Sequence, residues 1–97
     1  MFGLSESDYS FIANHLKPLL DSGAKIWCFG SRARGDHKLF SDLDLMIEDS
    51  VDRAREISTL NEIFEESRLP IKVDIVQEQD FASSYREGYL KDRKSFF

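Results

Sequence analysis

Two aspartates at the start of an apolar strand constrain this chain more than any other feature. They lie in the segment Ser41-Asp42-Leu43-Asp44-Leu45-Met46-Ile47. Because side chains alternate along a strand, Asp42 and Asp44 share one face, and the apolar residues between them share the other. The two carboxylates then stand about 7 Å apart at ~3.3 Å of rise per residue. Like charges held in parallel favour a divalent cation with oxygen ligands, and we expect Mg²⁺.

The sequence just before these aspartates adds a place for an anion. An Asp-x-Asp pair alone also describes a turn or a solvated rim. Here, however, the apolar strand Lys25-Ile26-Trp27-Cys28-Phe29 runs into Gly30-Ser31-Arg32-Ala33-Arg34-Gly35. Glycine allows close backbone approach, and the start of a helical turn presents N–H groups and a hydroxyl to an anion. Arg32 and Arg34 add charge suited to phosphate oxygens, with ordinary surface charge as the plain alternative. Together these features predict a site for a metal-chelated triphosphate.

A family resemblance follows from the spacing of these residues. Gly30-Ser31, ten intervening residues and Asp42-x-Asp44 resemble the signature of the nucleotidyltransferase superfamily related to polymerase β, in particular its smallest members, the minimal nucleotidyltransferases. That family carries a third carboxylate on a later strand, and Asp74 in Ile71-Lys72-Val73-Asp74-Ile75-Val76 supplies it. The resemblance implies an α/β (α+β) fold, a small mixed β-sheet with helices mainly on one face, like the nucleotidyltransferase palm. We expect one such domain over residues 1–97.

The resemblance also implies a reaction and a set of site residues. In nucleotidyl transfer a hydroxyl attacks the α-phosphorus and pyrophosphate leaves. Asp42 and Asp44 would bind two Mg²⁺ ions, and Asp74 would bind the ion that activates the acceptor hydroxyl. Whether Asp74 is also the general base stays open. The residues expected to bind the substrate ATP are Gly30, Ser31, Arg32, Arg34, Asp42 and Asp44.

Composition excludes several other classes of protein. A chain of 97 residues is one small domain, and its formal net charge of −5 argues against a general nucleic-acid clamp, which needs a basic face. The single cysteine, Cys28, cannot form an intramolecular disulfide and is interpreted as a small buried hydrophobe. There is no long apolar run and no signal peptide. We therefore expect a cytoplasmic protein with no membrane contact and no direct nucleic-acid binding.

Hydrophobic periodicity and capping signals predict the order of elements. The predicted elements are a helix at 6–21, a strand at 24–29, a short helix at 31–35, a strand at 42–48, a helix at 51–67 capped by Ser50, a strand at 71–76 and a last helix at 81–97. His37, in the intervening loop, is expected to be a plain loop residue because a hard cation prefers oxygen. In the last helix we expect Phe81 and Tyr85 to point inward and Phe96 and Phe97 to remain available to a partner.

The chain offers little room for a surface that binds the acceptor. After the last predicted strand only residues 77–97 remain, too few for the second domain of larger family members, so a partner or a second copy is expected to supply that surface. Minimal nucleotidyltransferases typically act as antitoxins. The resemblance therefore implies a hetero-oligomer with a HEPN-domain RNase toxin, silenced by transfer of AMP from ATP to a toxin tyrosine. Two alternatives stay open: an inactive antitoxin that masks its toxin, and a homodimeric enzyme that modifies a small molecule.

Overall fold

A four-stranded mixed sheet lies at the centre of the computed structural model, which describes residues 1–97. The elements in chain order are α1 (Glu6–Asp21), β1 (Lys25–Phe29), α2 (Ser31–Arg34), β2 (Leu43–Glu48), α3 (Ala54–Glu65), β3 (Val73–Gln77), two 3₁₀ turns (Glu78–Asp80 and Ser83–Tyr85), α4 (Arg86–Asp92) and β4 (Lys94–Ser95). The strands are ordered β3-β2-β1-β4. β1 is antiparallel to both β2 and β4, and β2 is parallel to β3. The predicted mixed α/β class is confirmed.

The main core lies between α1, α3 and one face of the sheet, which we call the helix face. Its buried residues include Ile12, Leu16 and Leu19 of α1, Ile57, Leu60 and Phe64 of α3, and Ile26, Cys28, Leu43, Leu45, Ile47, Val73 and Ile75 of the strands. The strand residues alternate as the sequence predicts, so β2 and β3 each bury every second side chain here. The helix α1 has the predicted bounds, and the Ser5 hydroxyl caps it by accepting from the backbone N–H of Asp8 at 3.1 Å.

The predicted start of α3 is wrong by three residues, and Ser50 does not cap it. The helix begins at Ala54, whose N–H donates to the Asp52 carboxylate at 2.9 Å. Before it, the Asp49 carboxylate accepts from the N–H of Val51 at 3.1 Å. Aspartates that bind backbone N–H groups two residues ahead hold a turn, so residues 49–53 form a loop rather than the first helical turn.

The single helix predicted for residues 81–97 is also wrong. The segment makes a 3₁₀ turn, the short α4 and then an extended stretch in which β4 pairs with the free edge of β1. The N–H of Phe96 donates to the carbonyl of Ile26 at 3.0 Å, and its ring is fully buried in the main core. Phe96, expected to be available to a partner, is buried, and Tyr85, expected to point inward, is exposed. Residues at the chain end form hydrogen bonds with the otherwise unpaired edge of β1 instead of continuing a helix.

The opposite face of the sheet, which we call the open face, is only partly covered. Phe29 at the end of β1 packs edge-to-face on Tyr89 of α4, with ring centroids 5.5 Å apart. Nearby, the Arg93 guanidinium lies 4.0 Å from the centre of the Trp27 ring, and Met46 is fully buried. The C-terminal segment therefore covers the middle of the open face. None of the helices is long and apolar enough to cross a membrane.

Candidate active site

The three predicted carboxylates lie on the open face, at the end of the sheet where β2 and β3 begin. Asp44 and Asp74 are direct neighbours in the parallel β2–β3 register, and parallel strands lie about 4.8 Å apart. Asp42 immediately precedes β2. Asp74 and Asp42 are exposed, whereas Asp44 is half-buried. The structure therefore brings together side chains that stand thirty residues apart in the sequence.

The charges of these carboxylates act on one another. Burial, followed by the negative charges of Asp74 and Asp42, raises the pKa of Asp44 to about 6, although the charges of Arg34 and Lys72 act in the opposite direction. Carboxylates whose charges act on one another in this way lie in one region of the surface. A divalent cation would relieve this repulsion.

The donor set fits Mg²⁺ in its chemistry but is not a preformed ligand cluster. No group of three aspartate, glutamate, histidine or cysteine side chains stands close enough to hold a metal ion. The three carboxylates that share the region offer only oxygen donors, which hard cations prefer. Their mutual repulsion contributes to the raised pKa of Asp44, and a bound cation would offset it.

Gly30 packs its backbone directly against the Asp44 carboxylate. Its φ of +74° is a left-handed value that side chains rarely adopt, and a Cβ placed there would lie 2.5 Å from an Asp44 carboxylate oxygen. The Gly30 carbonyl accepts from the N–H groups of Ala33 and Arg34, at 3.2 and 3.1 Å. No backbone acceptor is paired with the N–H of Gly30. Glycine is thus required here by both conformation and space. The half-buried Ser31 follows as the first residue of α2.

Arg32 has a different role from the predicted nucleotide contact. It is only 4% exposed, and its guanidinium donates to three backbone carbonyls. These acceptors are Ser41 at 3.0 Å, Phe2 at 2.9 Å and Leu39 at 3.2 Å. With these donors occupied and the side chain buried, Arg32 holds the loop that leads into Asp42. It positions the site without facing it, and its chain-distant partner at residue 2 left no signal in the local sequence.

Arg34, by contrast, is exposed at the rim of the site. Its guanidinium pairs with Asp36 at 3.1 Å and with Asp92 of α4 at 3.4 Å. Exposed ion pairs of this kind are weak and exchange readily with other anions. Arg34 also lowers the pKa of Asp44 through its charge. Among the two predicted arginines, Arg34 is therefore the one that a bound phosphate can reach.

His37 packs against the N-terminal segment. A Cβ placed at Gly3 would overlap the His37 ring, and Gly3 also has a positive φ of +73°. The ring atom Nδ1 is buried without a hydrogen-bond partner. His37 is thus a packing residue of the loop between α2 and β2.

Comparisons with known proteins agree with this geometry. Residues 12–96 match the family model described as nucleotidyltransferase domain. A Haemophilus influenzae relative, named probable protein adenylyltransferase MntA, is 43% identical over 72 residues, which are 67% of this chain and 61% of that protein. The chain thus spans about three-fifths of the length of this relative.

Solved structures share the fold. The structure of a proposed minimal nucleotidyltransferase superposes with a TM-score of 0.68 at 30% identity, covering 92% of both chains. A toxin–antitoxin crystallised with AMP-PNP gives a TM-score of 0.62 at 22% identity, over 87% of this chain and 71% of that one. A proposed nucleotidyltransferase from Sulfolobus solfataricus gives 0.51 at 19% identity, over 92% and 78%; the last two show the fold alone. The chain belongs to the nucleotidyltransferase domain family, and its resemblance to the minimal nucleotidyltransferases is confirmed.

Proposed function

We propose that this chain is a Mg²⁺-dependent adenylyltransferase that transfers AMP from ATP to a tyrosine of a partner toxin and thereby silences it. The observation that carries the proposal is the in-register pair Asp44 and Asp74 beside a glycine whose backbone touches the Asp44 carboxylate. The name of the Haemophilus relative and the AMP-PNP in the toxin–antitoxin structure support ATP as the substrate. A HEPN-domain RNase as the toxin rests on the family resemblance.

In the proposed reaction the tyrosine oxygen bonds to the α-phosphorus of ATP. The bond from that phosphorus to the bridging oxygen breaks, pyrophosphate leaves with the electron pair, and the phenolic proton goes to a carboxylate or to water. Mg²⁺, when bound by Asp42, Asp44 and Asp74, would stabilise charge on the phosphoryl oxygens. Asp74 is exposed, so an incoming hydroxyl can reach it from solvent, either for orientation or for proton transfer.

The remaining site residues would bind the leaving group. The Gly30 N–H, which has no backbone acceptor, and the neighbouring Ser31 would hold the β- and γ-phosphates. Arg34 would exchange its exposed partners Asp36 and Asp92 for the pyrophosphate and offset its growing charge. Arg32 would keep the loop before Asp42 in place.

The proposed partner would approach over the loop between α2 and β2. Leu39 and Phe40 on this loop are 78% and 70% exposed, and Asp42 follows them by two residues. Large apolar side chains exposed next to each other are typical of protein interfaces. A toxin seated on them would bring an acceptor side chain to the exposed carboxylates.

The test is a transfer assay with purified protein, Mg²⁺, labelled ATP and the partner encoded next to it. We expect label on the partner, and we expect the double variant Asp42→Asn/Asp44→Asn to lose it. Asp80→Asn is the matched control, because Asp80 is an exposed aspartate on a 3₁₀ turn after β3. An unlabelled partner, in an assay where a positive control works, would refute the proposal.

The same variants separate the alternatives. If the double variant still neutralises its toxin in cells, the protein acts by masking. If the wild type elutes as a homodimer in sizing chromatography, leaves the partner unlabelled and labels a small molecule, the enzyme acts on a free metabolite. Either result would replace the proposed acceptor.

A further inference from the structure

An aromatic cavity opens beside the proposed phosphate site. Its rings come from Phe29 of β1, Tyr89 of α4 and, between them, Phe81 and Tyr85. Phe81 packs on Phe29 with ring centroids 5.5 Å apart and on Tyr85 with centroids 6.1 Å apart. Together with Gly30 and Arg34, these rings line a cavity of about 310 Å³. This volume is large enough for a nucleobase and falls at the small end of ligand pockets.

The cavity adjoins the proposed phosphate site through Gly30. Phe29 pairs with Asp44 in the antiparallel β1–β2 register, and Gly30, which follows it, packs on the Asp44 carboxylate. Gly30 and Arg34 therefore belong both to the proposed phosphate site and to the cavity wall. A nucleotide whose phosphates lie at Gly30 has its base within reach of these rings.

Tyr85 is the free ring of this cluster. The other two tyrosines of the chain have hydrogen-bond partners: the Tyr9 hydroxyl donates to the carbonyl of Phe96, and the buried Tyr89 hydroxyl accepts from Arg93 at 3.3 Å. Tyr85 is 66% exposed and its ring contacts one other ring, that of Phe81. It thus presents an open aromatic surface toward solvent beside the cavity, as the stacking platforms of nucleic-acid-binding proteins do.

We propose that Tyr85 stacks on the base of the bound nucleoside triphosphate, with Phe81 supporting it from behind. The inference rests on the proposed function and names the part of the substrate that the carboxylates do not bind. Four of the residues that line the cavity contribute aromatic rings, so the wall recognises ring area rather than a base edge. Stacking grows with ring area, so the site selects purine over pyrimidine nucleotides.

The test compares ATP with inorganic tripolyphosphate, which has no base, in equilibrium binding with Mg²⁺. Replacing Tyr85 by Ala is expected to weaken ATP binding between about 5-fold and 100-fold and to leave tripolyphosphate binding unchanged. Tyr85→Phe keeps the ring and is expected to bind ATP as the wild type does. Phe97→Ala, at another exposed aromatic residue, is the matched control.

Three results would overturn the inference: unchanged ATP affinity in Tyr85→Ala, an equal loss for ATP and tripolyphosphate, or a loss confined to partner binding. Its failure is distinct from that of the proposed function. A wild type that binds ATP through Tyr85 but labels no partner would refute the transfer alone. A wild type that labels its partner while Tyr85→Ala binds ATP normally would refute the stacking alone, and a wild type that binds neither ligand would refute both.

Discussion

The two faces of β2 have opposite chemical character. On the helix face Leu43, Leu45 and Ile47 are fully buried in the main core. On the open face lies Asp44, whose pKa is raised to about 6 by burial and by the charges of Asp74 and Asp42. One face removes apolar surface from water, and the other gathers like charge at a cost in stability. The comparison teaches that the stability of this chain and its proposed chemistry can be altered separately.

The largest effect, on adenylyl transfer, is expected from a substitution at the open-face carboxylates. Asp44→Asn is expected to lower adenylyl transfer by at least about 10³-fold, or about 4 kcal/mol. The metal-free variant should unfold at the same or a higher temperature than the wild type, because it lacks one repelling charge. Mg²⁺ should raise the melting temperature of the wild type but not that of the variant. A variant that is less stable and still active would give Asp44 a structural role instead.

The next effect is expected from the chain end that joins the helix-face core. Phe96→Ala removes a fully buried ring and is expected to lower the free energy of unfolding by about 3–5 kcal/mol. Phe97→Ala, at the exposed neighbouring position, should change it by less than about 1 kcal/mol. Urea unfolding of both variants measures the difference. Equal effects would contradict the burial of Phe96 against β1.

A third effect distinguishes the two arginines of the predicted nucleotide site. Arg32→Met leaves three backbone carbonyls without their donor and is expected to cost about 2–4 kcal/mol of stability. Arg34→Met should leave the stability nearly unchanged, since its ion pairs are exposed, and should weaken ATP binding. Thermal unfolding and ATP titration of both variants provide the measurement. Normal stability with impaired ATP binding in Arg32→Met would return Arg32 to the nucleotide site.

A smaller effect is expected at the proposed partner surface. Leu39→Ser combined with Phe40→Ser should weaken partner binding by about 10-fold, or about 1.4 kcal/mol. The melting temperature should not fall, because both side chains are exposed. Val51→Ser, an exposed apolar residue in the loop after β2, is the control. Partner binding that survives the double change would move the interface elsewhere.

The smallest effect concerns the loop between β2 and α3. A hydrogen bond from Arg53, at 2.8 Å, and another from the N–H of Val51 lower the pKa of Asp49. Because its pKa is lower in the folded state, the ionised Asp49 carboxylate stabilises the fold at pH values above its ordinary pKa of 3.8. This contribution is lost as the pH falls through the lower pKa of the folded state. Urea unfolding near neutral pH and at about pH 3 should therefore show a larger loss for the wild type than for Asp49→Asn. Equal losses would mean that the Arg53 contact adds nothing.

Local patterns sufficed for much of the fold. The Ser5 cap, the period of α1 and the alternation in β2 and β3 are each set by residues only a few positions apart in the sequence. The sequence therefore predicted them. The end of the chain could not be predicted in this way. Its geometry depends on the free edge of β1, which lies more than sixty residues earlier in the sequence.

The sequence by itself determined the family, the mixed sheet and the identity of the proposed catalytic carboxylates, because the pattern Gly30-Ser31…Asp42-x-Asp44 and the strand that carries Asp74 are each recognised from residues close along the chain. Only the tertiary structure decided that Arg32 supports the loop, that Phe96 closes the core and that Tyr85 faces solvent beside Gly30. The physical reason is the range of the interactions. Turns, caps and alternation are settled among near neighbours, whereas a buried guanidinium or a strand edge finds its partner wherever the folded chain brings one.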